Sequence, residues 1–244
     1  MKTGRAARIS ASWPRSGPGA SRPRAVLLDS FGTLVSMEPP AERLAAVHGI
    51  PIEVAERAFR AEIAYYLEHH VEGRDAASLS ELRDRCAQVL GEQLGEWEPV
   101  DVRAAMLDAI RFDAYPDAAP ALRTLRERGL RLVVASNWDC SLPEVLEQAG
   151  LAPLVDGVVA SATVGADKPA PEVFEAALRL AGCDASEAVH VGDSPSKDVA
   201  GALAAGVRPV LLRRGGVRPD EVAADADVAS VATIASLAEL PGLL

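Results

Sequence analysis

The stretch Ala25-Val26-Leu27-Leu28-Asp29-Ser30-Phe31-Gly32-Thr33-Leu34-Val35 decides the fold. Ala25 to Leu28 is an unbroken apolar run of strand formers, which suits a central strand buried on both faces. It ends on Asp29, and Gly32 shortly after permits the sharp turn that lets a carboxylate stand clear of a strand. In open α/β sheets the ligand site lies just beyond the carboxyl ends of the strands. Asp29 is therefore placed for chemistry, and other residues are judged by whether they could gather around it.

Beyond Tyr115 the chain alternates helix and strand. Asp117 is expected to cap a helix running to Arg128, with Gly129 as its stop. Leu130–Ala135 is the next strand, ending at Ser136-Asn137. Ser141 to Glu144 has capping-box spacing and opens a helix that stops near Gly150. Gly157–Ala160 reads as a strand, Pro171–Ala181 as a helix ended by Gly182, and Ala188–Val191 as a strand running into Gly192-Asp193. A helix over Ser196–Ala205 and a strand over Pro209–Leu212 follow. A last strand over Asp227–Val231 and a helix over Ile234–Glu239 finish the chain. This alternation means a parallel sheet with right-handed crossovers and helices on both faces.

Between the Asp29 strand and Tyr115 the pattern is different. Pro39-Pro40 breaks the chain, and some 75 residues then read as helices without a strand. Phe59, Ile63, Tyr66, Leu67 and His70 recur at helical spacing, as do Leu82, Cys86, Val89 and Leu90, then Val102, Met106 and Ile110. The expected organisation is a basic, disordered tail over 1–23, an α/β core over 24–36 and 115–244, and a helical insert over 37–114.

Asp29, Ser136 with Asn137, Lys168, and Asp193 with Asp198 each sit at or beyond a strand end. In a parallel sheet those ends point the same way, so residues far apart in sequence converge on one rim. Carboxylates, a hydroxyl and a lysine together suit a dianion bound with a hard cation. The carboxylates would hold Mg²⁺, Lys168 and Ser136 would hold the anion, and Asp29 could attack as a nucleophile. Taken singly, each of these residues also has a plain structural reading as a turn former, helix cap or solvated side chain.

Asp29-Ser30-Phe31-Gly32-Thr33-Leu34, Ser136-Asn137, Lys168-Pro169 and Gly192-Asp193-Ser194-Pro195-Ser196-Lys197-Asp198 resemble the four motifs of the haloacid dehalogenase-like hydrolase superfamily. The helical insert is similar to the cap of its C1-capped branch. Tyr115-Pro116-Asp117 and Ala135-Ser136-Asn137-Trp138-Asp139, with Phe31, are similar to a branch called REG-2-like. The resemblance implies a Rossmann-like core with a helical cap and an aspartyl intermediate on Asp29. It makes Asp29 and Lys168 catalytic and gives Ser136, Asn137 and Lys168 to substrate. It implies Mg²⁺ held by Asp29, the Phe31 backbone carbonyl and Asp193, with Asp198 behind them. The expected activity is Mg²⁺-dependent hydrolysis of a small phosphorylated metabolite.

Phe31 departs from the phosphatase pattern, which places a second aspartate there as general acid. Loss of a general acid typically costs ~10²–10⁴ in rate, less when the leaving group is a weak base. An aromatic there also resembles the 2-haloacid dehalogenases, whereas Asp193 fits the phosphatases. A weakly catalytic phosphate- or metal-binding protein is the third alternative. In Tyr65-Tyr66-Leu67-Glu68-His69-His70, the plain expectation is two core aromatics and two exposed histidines. The sharper one is that Tyr65 or His69 faces the rim, or that a histidine replaces the missing acid.

Composition narrows the partners. The 244 residues carry a formal charge of −10, and the first 24 hold six basic side chains and no acidic one. The remainder, 19 basic against 35 acidic residues, is near −16. So acidic a body disfavours phosphate backbones and anionic lipid. Three scattered cysteines, with neither metal-ligand spacing nor an even count, suit a reducing compartment. With no apolar span of bilayer length, a cytoplasmic protein acting on a small molecule is expected.

Overall fold

The computed structural model describes residues 22–215 and 231–244. Most of the expected tail and residues 227–230 of the expected last strand lie outside the described residues.

Six parallel strands form one sheet in the order β5-β4-β1-β6-β7-β8. They are β1 Ala25–Leu28, β4 Arg131–Ser136, β5 Gly157–Ala160, β6 Ala188–Gly192, β7 Arg208–Leu212 and β8 Ala232–Ile234. β1 lies inside, with Leu28 opposite Val134 of β4 and Val191 of β6. Its four residues are wholly buried, as an apolar run with no polar face requires.

Side-chain alternation divides the core between the two faces. Val26, Leu28, Leu132, Val134, Val189 and Val191 pack with Leu122, Leu125, Leu142 and Leu146. The first two leucines of that second group belong to α5 (Ala118–Glu127), the other two to α6 (Leu142–Gln148). Ala25, Leu27, Val133, Ala135 and Ala188 face Val173, Phe174 and Ala177 of α8 (Pro171–Ala181) and Ala202 of α9 (Ala200–Ala204). The sheet is therefore sandwiched between helices, as its sequence pattern predicts.

The inserted segment holds α1 Pro40–His48, α2 Ile52–His69, α3 Ala76–Leu94 and α4 Val102–Ala109. These close around their own apolar cluster, which includes Leu44, Phe59, Leu82, Cys86, Leu90 and Met106. The stretch expected to be helical throughout has a strand at each edge: β2 Val35–Met37 and β3 Phe112–Ala114 pair antiparallel. Three residues are too few for an alternation to register in sequence.

Several local expectations are corrected. Asp117 does not cap α5 with its side chain. Its carboxylate instead takes Arg214, the Ser236 hydroxyl and the Leu237 N–H. Arg214 also donates to the Thr33 carbonyl at 2.7 Å, pinning the turn after Asp29. Ser141 makes no side-chain capping bond, and its backbone N–H is accepted by Asp139 Oδ1 at 2.7 Å. The helix expected from Ser196 begins as a wide π turn over Pro195–Val199. Ile234 belongs to β8 rather than to a helix. A short helix, α7 Ser161–Val164, separates β5 from Lys168.

Candidate active site

The turn after β1 sets the site. The Ser30 carbonyl accepts the N–H groups of Thr33, Leu34 and Val35, and Gly32 takes φ +82°. A Cβ built on Gly32 would lie 2.2 Å from Asp193 Oδ2. Glycine is needed there for both conformation and space, and its bareness brings the turn after β1 against the loop after β6. Gly192 acts alike: its Cβ would fall 2.2 Å from Asp198 Cγ.

The strand-end residues do converge. Asp29 is 6% exposed and Lys168 3%, close enough to burial that their charges must be met by neighbours. Lys168 Nζ donates to Asp29 Oδ1 at 2.7 Å and to Asp198 Oδ1 at 2.6 Å. Ser136 Oγ, at the tip of β4, donates to Asp29 Oδ1 at 2.9 Å. Asn137 contributes through Lys168: its Nδ2 donates to the Lys168 carbonyl at 3.0 Å, and its Oδ1 accepts the Lys168 N–H at 2.7 Å.

Asp198 accepts two further donors, the Ser194 N–H on Oδ2 and His190 Nε2 on Oδ1, both at 2.9 Å. Facing a carboxylate, His190 carries its proton on Nε2. Burial raises the Asp198 pKa, but the Lys168 charge and the His190 hydrogen bond outweigh it and hold the carboxyl far below the usual range. Burial likewise lowers the Lys168 pKa, and the charges of Asp198 and Asp29 reverse that, keeping the ammonium protonated. Both oxygens of Asp198 are thus committed to donors within the protein.

Asp29, Asp193 and Asp198 bring one carboxylate oxygen each within 4.8 Å of one another. With both Asp198 oxygens already engaged, Asp29 and Asp193 are the hard oxygen donors of this cluster that fit a small hard divalent cation such as Mg²⁺. Phe31 is 38% exposed. Its ring meets Trp138 edge-on at 6.5 Å, and Trp138 in turn meets Phe112 at 4.9 Å. The expectation of two exposed histidines fails at both: His69 is half-buried, and His70 is 5% exposed and bonds Asp167 through Nε2 at 3.0 Å. His69 Nδ1 lies 2.8 Å from Glu72 Oε1. Asp167, unremarked in the sequence, and Asp139, noted there only as the end of a motif string, emerge as partners of the helical unit.

Comparison with known proteins adds the family. A model described as haloacid dehalogenase-like hydrolase matches residues 23–206. A phosphoserine phosphatase of Thermus thermophilus is 43% identical over 119 residues, 48% of this chain and 47% of that protein. The aligned parts span about half or less of the curated relatives. Among solved structures, a HAD phosphatase from Thermococcus onnurineus is similar at TM-score 0.60 and 25% identity, covering 90% of this chain and 97% of that one. The L-2-haloacid dehalogenase RSc1362 is similar at TM-score 0.66 and 25% identity, covering 91% and 98%.

Proposed function

Because the chain belongs to the haloacid dehalogenase-like hydrolases, we propose that it hydrolyses a small phosphorylated metabolite with Mg²⁺ bound, through an aspartyl-phosphate on Asp29. The observation that carries this reading is the Lys168 ammonium set between Asp29 and Asp198 at 2.7 and 2.6 Å, with Asp193 beside them.

Asp29 Oδ1 is engaged by Ser136 and Lys168, which leaves Oδ2 as the oxygen assigned to attack. Oδ2 attacks phosphorus, the bond to the leaving oxygen breaks, and that oxygen takes a proton from water. Water then attacks the phosphorus of the aspartyl-phosphate, freeing orthophosphate and restoring the carboxylate. Lys168 and Ser136 keep Asp29 oriented and meet the charge on the phosphoryl oxygens. Asn137 holds the Lys168 backbone in place. Asp29, the Phe31 carbonyl and Asp193 would hold Mg²⁺, which supplies positive charge against those oxygens.

Phosphate release from acetyl phosphate and para-nitrophenyl phosphate should require Mg²⁺ and vanish in Asp29→Asn. Equal release by that variant would overturn the reading. The exposed Phe31 ring favours dehalogenase-type chemistry as a second reading. Chloride release from a 2-haloacid in the presence of EDTA would establish it instead.

A further inference from the structure

Tyr66 in the last turn of α2 and His70, the residue just beyond that helix that opens a 3₁₀ turn over His70–Glu72, reach the rim with side chains the proposed chemistry does not use. Tyr66 and His70 lie side by side at the end of α2, with ring centroids 5.8 Å apart. Tyr66 Oη donates to Asp139 Oδ2 at 2.8 Å. His70 Nε2 lies 3.0 Å from Asp167 Oδ1, and its Nδ1 lies 3.1 Å from the Leu67 carbonyl.

Their partners occupy particular places. Asp139 is two residues beyond Asn137, and Asp167 immediately precedes Lys168. Asn137 and Lys168 are themselves joined by the reciprocal pair of hydrogen bonds described above. The connections close into a ring: Tyr66 to Asp139, along the chain to Asn137, across to Lys168, back one residue to Asp167, and through His70 to the same helix. A backbone bond from the Cys140 N–H to the Gly73 carbonyl, 2.8 Å, lies alongside. A Cβ on Gly73 would come to 3.0 Å from the Asp139 Cβ, so little slack exists there.

We infer that Tyr66 and His70 are positioning residues, which hold the two rim loops in register and thereby set the Lys168 ammonium on Asp29. This rests on the hydrolase reading above. Neither acts as the missing proton donor, since the Tyr66 hydroxyl is committed to Asp139 and both His70 ring nitrogens face acceptors away from Asp29, the Asp167 carboxylate and the Leu67 carbonyl. Burial together with the Asp139 charge raises the Tyr66 pKa, so the phenol remains a donor. Burial raises the Asp167 pKa, but the hydrogen bonds from His70 and from the Ser161 hydroxyl override it and lower the carboxyl below its ordinary value. Neutral helix-to-loop contacts could seat the helices equally well. Pairing with the residues flanking Asn137 and Lys168 passes that seating on to the lysine.

The test uses the full chain with acetyl phosphate, comparing Tyr66→Phe, His70→Ala, Asp167→Ala and Asp167→Asn, and follows hydrogen exchange at the Lys168 amide. Misplacing Lys168 by a fraction of an ångström to one ångström should lower kcat ~10- to 100-fold in the first three variants at little-changed KM. Lys168 amide exchange should quicken in each. Asp167→Asn keeps an acceptor for His70 and should retain most of the activity. The inference is overturned if Tyr66→Phe, which conserves the ring and its packing, leaves kcat and exchange unchanged. It is overturned equally if exchange quickens while kcat holds, the mark of a purely structural bond. Should the parent release phosphate no faster than Asp29→Asn, the hydrolase reading falls by itself; exchange then decides the clasp, and an unchanged Lys168 amide overturns it.

Discussion

Phe31 follows Asp29 by two residues, and a hydrocarbon ring cannot protonate a departing alkoxide. Turnover should therefore depend on how basic the leaving oxygen is. Acetyl and aryl phosphates should be hydrolysed well and alkyl phosphates poorly. Phe31→Asp should raise alkyl phosphate turnover by up to ~10²-fold with little effect on acetyl phosphate. Parent rates that do not vary across a leaving-group series would contradict this. Lys168 invites a second measurement. Removing one partner of a buried ion pair typically costs ~3–5 kcal/mol, because the other charge is stranded. Lys168→Met should lower stability to urea by about that much, and Asp198→Asn in the same chain should recover part of it. A double variant no more stable than Lys168→Met would mean that Asp198 does not feel the ammonium. Asp29, Ser136, Lys168, Asp193 and Asp198 were legible in sequence because each ends or follows an apolar strand, and a parallel sheet gathers such ends. Asp139 and Asp167 were not, since their partners lie on a helix whose seating no local pattern reports.

At the level of elements, α2 carries an oddity in its apolar face. Glu62 is 4% exposed among Ala55, Ala58 and Phe59. Burial pushes its carboxyl up to about 7, against the opposing hydrogen bond from the Cys86 thiol. Burial and the Glu62 charge in turn push Cys86 up to about 12. A carboxyl whose pKa is raised by folding gives stability that is complete below its unfolded value of 4.5. That stability drains away as pH rises through about 7. The protein should lose up to ~3 kcal/mol between about pH 5 and pH 8 from this group. Glu62→Gln should flatten that slope. Urea midpoints of parent and variant that run parallel over the range would refute it. The long helices and five of the six sheet strands, β1, β4, β5, β6 and β7, were readable from period and apolar pattern. What escaped was short or tertiary: β2 and β3, the π turn at Pro195–Val199, and the diversion of Asp117 from its helix to Arg214. A capping residue can be read locally, but a better partner 97 residues away cannot.

Across the described residues, the apolar interior of the inserted helices is kept apart from the two on the sheet faces. The clusters on the two sheet faces draw on residues 25–35 and 112–244, whereas that of α1 to α4 draws on 41–110, with Cys140 packed against it. The chain leaves and re-enters the core at adjacent points. Met37 is the Cα partner of Phe112, and the Glu38 N–H bonds the Arg111 carbonyl at 3.0 Å. Polar bonds of Tyr66, His70 and Gly73 to the rim loops join the helical unit to the core. Separate interiors joined by a paired ribbon and a few polar contacts are the arrangement in which relative motion is expected, and in which one part can be removed without opening the other. Replacing residues 38–111 by Asn-Gly, a two-residue turn suited to a hairpin, should leave a core that unfolds cooperatively in urea with the circular dichroism of an α/β protein. The shortened protein should still contain Asp29, Ser136, Lys168 and Asp193, yet hydrolyse acetyl phosphate more slowly, since the ring through Tyr66 and His70 is gone and water enters freely. An insoluble or non-cooperative product would show instead that the helices are part of the core's own stability.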